Sequence, residues 1–477
     1  MSFPLNRLLS AASALAALTL SGCATLDTQN SANLEPVELI ATADYVVTMD
    51  DNNTIIQDGA IAVRDGKIIA ISDRNTIEST YHAQTTLNGE KNILLPGLVN
   101  GHTHTAMTLF RGMADDLELM TWLNNYIFPM EGQFVSPEFV SIGTELACYE
   151  MIRGGTTTFV DMYFYPEVIA EVTDQCGLRA IIAAPMIDFP SPGFTGWDDS
   201  FAAGQTFVRQ WQGKHPRITP ALAPHAPYTV SKEHLKAVGD IAAKLNAPIS
   251  IHLAETQAEH GIIQERYQNT PVAHTLAQFD EKTTVIAAHM VHPTDSDIDL
   301  LSQSMAGPIH NPTSNLKLGS GFSPVMAMQN KGIAVGLGTD GAASNNDLDM
   351  WEEIRLAALI HKGASQNPTA VPARSALAMA TRDGAKAVKI EHIGQISEGF
   401  SADFVLVDYD DTRLAPVYDV ISHLVYAIDS TDVDTTVVAG KVLMENKEVL
   451  TIDELALKAK VESIANKIKA ALAKSEK

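Results

Sequence analysis

The amino-acid sequence predicts an α/β fold: a closed, TIM-like (β/α)8 barrel with a small β-sandwich domain formed from both chain ends. Eight short apolar runs follow one another through the middle of the chain, and most gaps between them have helical periodicity. Both chain ends instead have the apolar, β-branched pattern of strands. Because alternating strands and helices imply parallel pairing, eight repeats favour closure into a barrel.

The predicted domains follow from where these patterns change. Residues 37–95 and 391–450 form the small β domain, residues 96–390 form the barrel, and residues 451–477 form an amphipathic helix that caps the fold. The eight apolar runs of the barrel cover residues 93–99, 156–162, 178–184, 218–223, 247–253, 283–288, 305–309 and 332–337.

Local signals define individual elements. Residues 60–69 are expected to form a hairpin that turns at Asp65 and Gly66, a pair favoured in two-residue turns. Helical spacing predicts helices over residues 137–153 and 232–245. The rival architecture is an open doubly wound sheet. No Gly-x-Gly-x-x-Gly motif follows an early strand, which disfavours the dinucleotide-binding version of that fold.

Composition excludes some functions. The chain of 477 residues is suited to one large domain and a smaller one, and its 45% hydrophobic and 19% charged residues are typical of a folded globular protein. The formal net charge of -24 repels nucleic-acid phosphates, so DNA and RNA are not expected partners.

The first residues are typical of an export signal rather than of the fold. Arg7 precedes an apolar run over residues 8–20, and the following Leu-Ser-Gly-Cys resembles a bacterial lipobox ending at Cys23. Residues 1–23 are therefore expected to be a lipoprotein signal peptide, with residues 24–36 as a tether. The protein would then lie on the periplasmic side of a bacterial membrane, held only by the lipid anchor. The alternative is a cleaved, soluble export signal.

The remaining cysteines are Cys148 and Cys176. An oxidising compartment permits a disulfide between them, but their spacing does not decide it. Two buried free thiols are the favoured expectation.

Polar side chains follow the apolar runs at the positions where barrel enzymes carry their chemistry, the carboxyl ends of the strands. Only 15 of the 477 residues are histidines, yet five of the eight runs end in one. The residues at these strand ends are His102, His104, His225, His252, Glu255, His289, His310 and Asp340. Their accumulation at one end of the barrel predicts an active site there.

A metal site follows from two of these histidines. His102 and His104 are two residues apart, so their side chains point to the same side of a strand. With His252 and Asp340 they provide three imidazole nitrogens and a carboxylate, a donor set suited to one Zn²⁺, with Fe²⁺ as the alternative. Water held by such a metal ionises near neutral pH. Glu255 would move protons, His289 would orient the water, and Asp340 would also accept a proton.

These motifs resemble known ones. Residues 96–104, residues 252–255, His289 and residues 338–340 together are similar to the amidohydrolase superfamily of metal-dependent hydrolases. More narrowly, residues 104–112, 223–229 and 310–317, with Trp122 and Glu131, resemble the 5'-methylthioadenosine/S-adenosylhomocysteine deaminase group. The resemblance extends from about residue 38 to about residue 445.

The resemblance implies roles for individual residues. The positions that match metal ligands are His102, His104, His252 and Asp340. The positions that match the proton-handling pair are Glu255 and His289. The positions that match substrate contacts are Trp122 and Glu131 at the ribose and His225 at the purine. The implied reaction is hydrolytic deamination of a small-molecule adenine nucleoside to the inosine derivative and ammonia. Related enzymes are often oligomers, which leaves a homo-oligomer open here.

One departure from the group bears on the substrate. Some members that accept the homocysteine tail have arginines after the third strand, whereas residues 181–197 here contain none. A buried carboxylate needs a cation or a dense set of hydrogen-bond donors, so neutral 5' groups are expected. Two other functions remain open. One is another hydrolase on the same scaffold, acting on triazines, guanine or pterins. The other is a lipoprotein that binds a metal or nucleoside without turnover.

Overall fold

The computed structural model describes residues 34–475. The predictions for the export signal, for Cys23 and for most of the tether lie outside the described residues. The first strand begins at Glu35, so the last part of the predicted tether, Glu35 and Pro36, belongs to a sheet. No helix in the described residues combines the length and the apolar character needed to cross a bilayer.

The strands of residues 34–475 form two eight-stranded sheets. The first four strands, all in the end sheet, are β1 (Glu35–Val47), β2 (Ile55–Arg64), β3 (Lys67–Asp73) and β4 (Tyr81–Pro96). The barrel strands are β5 (Leu98–Thr103), β6 (Thr156–Met162), β7 (Arg179–Met186), β8 (Ile218–Pro224), β9 (Ile249–Leu253), β10 (Val285–His289), β11 (Ala306–His310) and β12 (Gly336–Leu337). The strands that complete the end sheet are β13 (Phe404–Asp408), β14 (Val433–Val438), β15 (Lys441–Glu445) and β16 (Glu448–Val449). One sheet therefore takes strands from both chain ends, as the sequence predicts.

The end sheet has the order β16-β15-β14-β13-β4-β1-β2-β3, with β1 and β4 parallel and the other neighbours antiparallel. The turn at Asp65 and Gly66 joins β2 to β3 and confirms the predicted hairpin. The sheet folds over on itself, since Ala402 N–H donates to the Gly66 carbonyl at 2.9 Å. One apolar cluster, which includes Leu39, Val63 and Phe404, lies between the folded parts.

In the barrel, each strand from β5 to β12 pairs in parallel with the next one along the chain. The two ends of this series also meet. The Asp340 N–H donates to the His102 carbonyl at 2.9 Å, and the Thr339 N–H donates to Asn100 Oδ1 at 3.1 Å. These bonds join the end of β12 to β5, so the barrel prediction is confirmed and the open-sheet alternative is wrong.

The first predicted barrel run needs a correction. The apolar run over residues 93–99 is two strands, because β4 ends at Pro96 in the end sheet and β5 begins at Leu98 in the barrel. Gly97 separates them, and a Cβ placed there would lie 2.1 Å from the Thr157 side chain, so this crossing has room only for glycine. The sequence shows no break at this point, because both strands are buried here and both therefore have apolar residues.

The helices lie mainly between barrel strands. They are α1 (Arg74–Thr80), α2 (Leu119–Trp122), α3 (Phe128–Phe134), α4 (Pro137–Arg153), α5 (Pro166–Cys176), α6 (Trp197–Trp211), α7 (Lys232–Leu245), α8 (Gln257–Tyr267), α9 (Pro271–Leu276), α10 (Asp295–Leu301), α11 (Pro312–Lys317), α12 (Val325–Asn330), α13 (Met350–Ser365), α14 (Ala373–Met379), α15 (Arg382–Ala387), α16 (Val420–Tyr426) and α17 (Glu454–Ser475). The predicted bounds of α4 and α7 are confirmed. Ser136 and Ser231 cap these two helices by accepting hydrogen bonds from backbone N–H groups of the first turn.

The last helix, α17, lies within the predicted C-terminal segment of residues 451–477. It packs against α4 and buries Leu457, Ile464 and Ile468. Lys460 adds an ion pair with Glu145 of α4 at 2.8 Å.

The cysteine prediction is wrong, because Cys148 and Cys176 form a disulfide. Cys148 lies in α4 and Cys176 is the last residue of α5, and their Cα atoms are 6.4 Å apart. The two helices pack side by side, which places both sulfurs in the same buried layer. A separation of 28 residues in the sequence does not reveal that packing.

Candidate active site

Four of the predicted site residues converge at the carboxyl end of the barrel. The His102 side chain projects from β5, His104 follows that strand, His252 lies in β9, and Asp340 follows β12. His104 Nε2 lies 3.2 Å from His252 Nε2 and 3.2 Å from Asp340 Oδ1. His102 Nε2 lies 3.5 Å from the same Asp340 oxygen. The structure thus brings together residues that are up to 238 positions apart in the chain (340 minus 102).

Backbone carbonyls orient two of these imidazoles. His104 Nδ1 lies 2.6 Å from the Met162 carbonyl, and His252 Nδ1 lies 2.9 Å from the His225 carbonyl. Because a carbonyl only accepts, each Nδ1 carries a hydrogen, and each Nε2 faces the centre of the cluster.

Asp340 is held by hydroxyl and backbone donors. Ser314 and Ser344 donate to its Oδ2 at 2.7 and 2.9 Å, and the Gly341 N–H donates to its Oδ1 at 2.8 Å. Burial raises the pKa of Asp340, but its contacts with His102 and His104 outweigh burial and hold the pKa well below its usual range. The carboxyl group is therefore ionised at neutral pH.

These residues fit a divalent cation. His102 is fully buried, and neither of its ring nitrogens has a hydrogen-bond partner within the described part of the chain. Burial lowers the pKa of His102 to about 4, so this imidazole is neutral. The donor atoms of His102, His104 and His252 lie within 4.8 Å of one another, as do those of His102, His289 and Asp340. The hydrogen bond and charge of Asp340 outweigh burial and raise the pKa of His104 to about 9, so a bound cation would replace the proton on that ring. Three imidazoles beside one carboxylate match a Zn²⁺-type donor set. The assignment of individual ligands stays a prediction.

The predicted proton-handling pair lies beside this cluster. Glu255 Oε2 is 3.7 Å from His289 Nε2, and both side chains are buried. His289 Nδ1 donates to Asn315 Oδ1 at 3.0 Å, which leaves its Nε2 facing Glu255. Burial raises the pKa of Glu255 above its usual value. A carboxyl group with a raised pKa can hold a proton for donation.

Three residues of the cluster line a cavity of about 750 Å³, the size of a small-ligand site, and they are His104, His252 and Asp340. The cavity is lined by Trp122, Glu131 and His225, the three residues predicted to contact substrate. Trp122 and Glu131 come from the segment of α2 and α3 that covers one side of the cavity. Their functional roles are not decided by position alone and remain predictions.

Glu131 is buried, and its carboxyl group has one hydrogen-bond partner among residues 34–475. Tyr163 donates its hydroxyl hydrogen to Glu131 Oε1 at 2.8 Å. Burial raises the pKa of Glu131 to about 7, although the Tyr163 hydrogen bond lowers it in part. The second oxygen belongs to a residue of the cavity lining and can accept from a ligand hydroxyl.

His225 is a neutral imidazole next to the cluster. Its Nδ1 lies 2.9 Å from the Thr229 hydroxyl oxygen, and its ring packs 4.8 Å from the ring of His252. Burial, together with the neighbouring histidines His104 and His102, lowers its pKa to about 3. His225 can therefore contact an aromatic ligand without adding charge.

The structure adds supporting residues that the sequence analysis missed. Asp161 accepts hydrogen bonds from the Thr105 N–H and hydroxyl, both at 2.7 Å, and so fixes the chain directly after His104. Asp161 and Tyr163 lie at the end of β6, where the strand-end rule would have found them. No comparable sequence signal marks Ser314 and Ser344, whose hydroxyls support Asp340.

His310, singled out at the seventh strand end, does not line the cavity and packs against His361.

A barrel with this His/Asp cluster at the carboxyl ends of its strands defines a metal-dependent hydrolase. The chain belongs to the amidohydrolase family, whose family model matches residues 93–443.

Comparison with individual proteins shows which members of the family this chain is similar to. The chain is 44% identical over 421 residues to a 5-methylthioadenosine/S-adenosylhomocysteine deaminase of Pelotomaculum thermopropionicum, covering 88% of this chain and 96% of that one. It is 45% identical over 424 residues to a 5'-deoxyadenosine deaminase of Methanosarcina acetivorans, covering 87% and 95%. A solved adenosine deaminase of Xanthomonas campestris with bound zinc has a TM-score of 0.89 at 38% identity, covering 92% of this chain and all of that one. The predicted resemblance to this deaminase group is confirmed.

Proposed function

We propose that this protein is a metal-dependent aminohydrolase that converts adenine nucleosides to the inosine derivative and ammonia. The observation that carries the proposal is the placement of Glu255, with its raised pKa, beside the His102/His104/His252/Asp340 cluster, in the lining of a nucleoside-sized cavity. The relatives named for deamination of adenine nucleosides support the same reaction.

Zn²⁺ is the proposed cation, because the donor set suits it and the adenosine deaminase of Xanthomonas campestris was solved with zinc. Fe²⁺ takes the same donors. The residues that would hold the cation are His102, His104, His252 and Asp340. A divalent cation at this position supplies a hydroxide nucleophile near neutral pH.

The side chains of this protein then move the protons. Glu255 holds a proton on its carboxyl group and donates it to the adenine ring nitrogen beside C6 as the nucleophile adds there. Asp340, ionised at neutral pH, accepts the proton that the nucleophile loses, and this proton leaves with the amino group as ammonia. His289 Nε2 accepts a hydrogen bond and orients the attacking group. The C6–N bond breaks and a C6=O group remains. The proton released when the water ionises restores the proton on Glu255, so one water is consumed for each ammonia released.

The substrate we propose has a neutral 5' group, as in 5'-methylthioadenosine, 5'-deoxyadenosine or adenosine. Glu131 would accept from the sugar hydroxyls, with Trp122 beside the ribose. The described residues that line the cavity include no lysine or arginine, and the wall after β7 is formed by apolar residues such as Ile187, Phe189 and Pro190. A carboxylate tail would therefore be buried without a cation.

An ammonia-release panel tests the function. Purified protein with measured metal content is assayed with adenosine, 5'-methylthioadenosine, 5'-deoxyadenosine, S-adenosylhomocysteine, guanine and a pterin. We expect the highest kcat/KM for neutral adenine nucleosides. We expect Glu255→Gln to lower kcat by about 10²- to 10⁴-fold with metal content unchanged. Activity on guanine or the pterin alone would instead indicate a related hydrolase. Tight nucleoside binding with no turnover would indicate a binding protein.

We also propose that the protein is exported and anchored through a lipid on Cys23, where it would act in nucleoside salvage. The signal-like pattern of residues 1–23 supports this. The Cys148–Cys176 disulfide supports an oxidising compartment independently, since such bonds persist outside the cytosol.

Membrane fractionation tests the anchor. Wild-type protein should sediment with the membranes, and Cys23→Ala should be released from them or fail to mature. Equal partitioning of the two proteins would contradict the anchor.

A further inference from the structure

A short turn after β9 carries Glu255 into the cavity. Ala254 has a φ of +52°, a left-handed conformation that a residue with a Cβ rarely adopts. The next helix, α8, begins directly after this turn at Gln257. A strained residue next to a reacting side chain needs fixed contacts to hold its conformation.

Glu259, in the first turn of α8, supplies two of those contacts. Its Oε1 accepts the Ala254 N–H at 2.9 Å, and its Oε2 accepts the Glu255 N–H at 2.8 Å. The Glu259 side chain is buried, and its own N–H donates to the Thr256 hydroxyl at 3.2 Å. Each oxygen of the Glu259 carboxyl group therefore accepts from one of two consecutive peptide groups.

The other side of the same turn is bound to the next barrel loop. The Ala254 carbonyl accepts from the Val291 N–H at 2.9 Å and from the His292 N–H at 2.8 Å. That loop follows His289, the partner of Glu255. The backbone before Glu255 is therefore fixed on both sides, by Glu259 and by the loop of His289.

We propose that Glu259 is a positioning residue, whose two hydrogen bonds to the backbone aim the Glu255 carboxyl group at the reacting ring nitrogen. This inference rests on the proposed function, because Glu259 acts only through Glu255. The competing role is purely structural: a carboxylate in the first turn stabilises any helix. The two roles predict different kinetics.

Glu259→Gln is the central variant. Its side chain has about the same size but only one acceptor oxygen, and it places an N–H donor against one of the two backbone N–H groups. Glu265→Gln, an exposed position on the same helix, is the matched control. We expect Glu259→Gln to lower kcat by about 30-fold, which is less than the loss expected when the general acid Glu255 itself is replaced. KM and metal content should stay within about twofold of wild type. Glu265→Gln should match wild type.

A double-mutant cycle separates positioning from structure. If Glu259 acts through Glu255, then Glu259→Gln should change the residual kcat of Glu255→Gln by less than about twofold. If the kcat of the double variant falls by the product of the two single losses, the proposal is overturned, because Glu259 would then act independently of Glu255. Wild-type kcat in Glu259→Gln would also overturn it.

Amide hydrogen exchange tests the contacts of Glu259 without relying on the proposed reaction. Glu259→Gln should speed exchange of the Ala254 and Glu255 N–H groups by about tenfold or more, with the rest of α8 unchanged. Unchanged protection of these two amides would overturn the inference even if the wild-type enzyme had no activity on any nucleoside. A wild-type enzyme inactive on nucleosides, with the two amides deprotected in the variant, would contradict only the reaction proposed above.

Discussion

At the scale of single residues, the surroundings of two buried carboxyl groups shift their pKa values in opposite directions. Asp340 contacts His102 and His104, and these contacts keep its pKa well below the usual range despite burial. Glu131 has a neutral hydroxyl as its hydrogen-bond partner, so burial prevails and its pKa rises to about 7. One carboxyl group therefore stays ionised, and the other changes charge near neutral pH.

The first prediction concerns the pH dependence of KM. Because the pKa of Glu131 is raised, the group gains a proton as the pH falls through about 7 and loses acceptor strength toward the sugar hydroxyls. The KM for adenosine should therefore rise between pH 8 and pH 6. Glu131→Gln should have a KM raised by about 10- to 100-fold and independent of pH over this range. Initial rates from pH 6 to 8 measure both.

Glu138→Gln, an exposed carboxylate at the start of α4, is the control and should retain the wild-type profile. A wild-type KM that stays flat from pH 8 to pH 6 would contradict a sugar-binding role for an ionised Glu131.

At the scale of elements, short-range signals determine helix bounds but not helix neighbours. Helical spacing made α4 and α7 predictable, and the caps at Ser136 and Ser231, which act within one turn, agree with the predicted starts. The contact of α4 with α5 that joins Cys148 to Cys176 depends on how β6 places both helices on the barrel surface. No periodicity in either helix encodes that contact.

The second prediction tests this contact. The double variant Cys148→Ala/Cys176→Ala should be less stable than the wild type by about 2–4 kcal/mol, because the bond no longer restricts the unfolded chain. Urea denaturation without reductant measures the difference. Reductant should lower the wild-type midpoint and leave that of the variant unchanged. A wild-type midpoint insensitive to reductant in urea would indicate two free thiols.

At the scale of the whole molecule, barrel closure assembles the site. The β12–β5 seam places Asp340 beside His102 and His104, and His252 approaches them from β9. A cation bound by these residues would link strands from three parts of the barrel. Metal binding and global stability should therefore be coupled.

The third prediction follows from that coupling. Removal of metal by a chelator should abolish ammonia release and lower the thermal midpoint, and added Zn²⁺ should restore both. Free metal at a thousandfold excess over its Kd would stabilise the fold by about 4 kcal/mol. Calorimetry and metal analysis on the same sample provide the test. Full turnover by protein shown to be free of metal would contradict a catalytic cation.

The sequence alone determined the features that depend on local pattern and residue chemistry. The alternation of strands and helices specified a barrel, and histidines and carboxylates after the strands specified its active end, because parallel strands place their carboxyl ends together. Only the tertiary structure decided the break at Gly97, the disulfide, and the contacts of Asp161 and Glu259 with the backbone beside the site. These features depend on distances between segments that the fold brings together, and a one-dimensional pattern does not contain those distances.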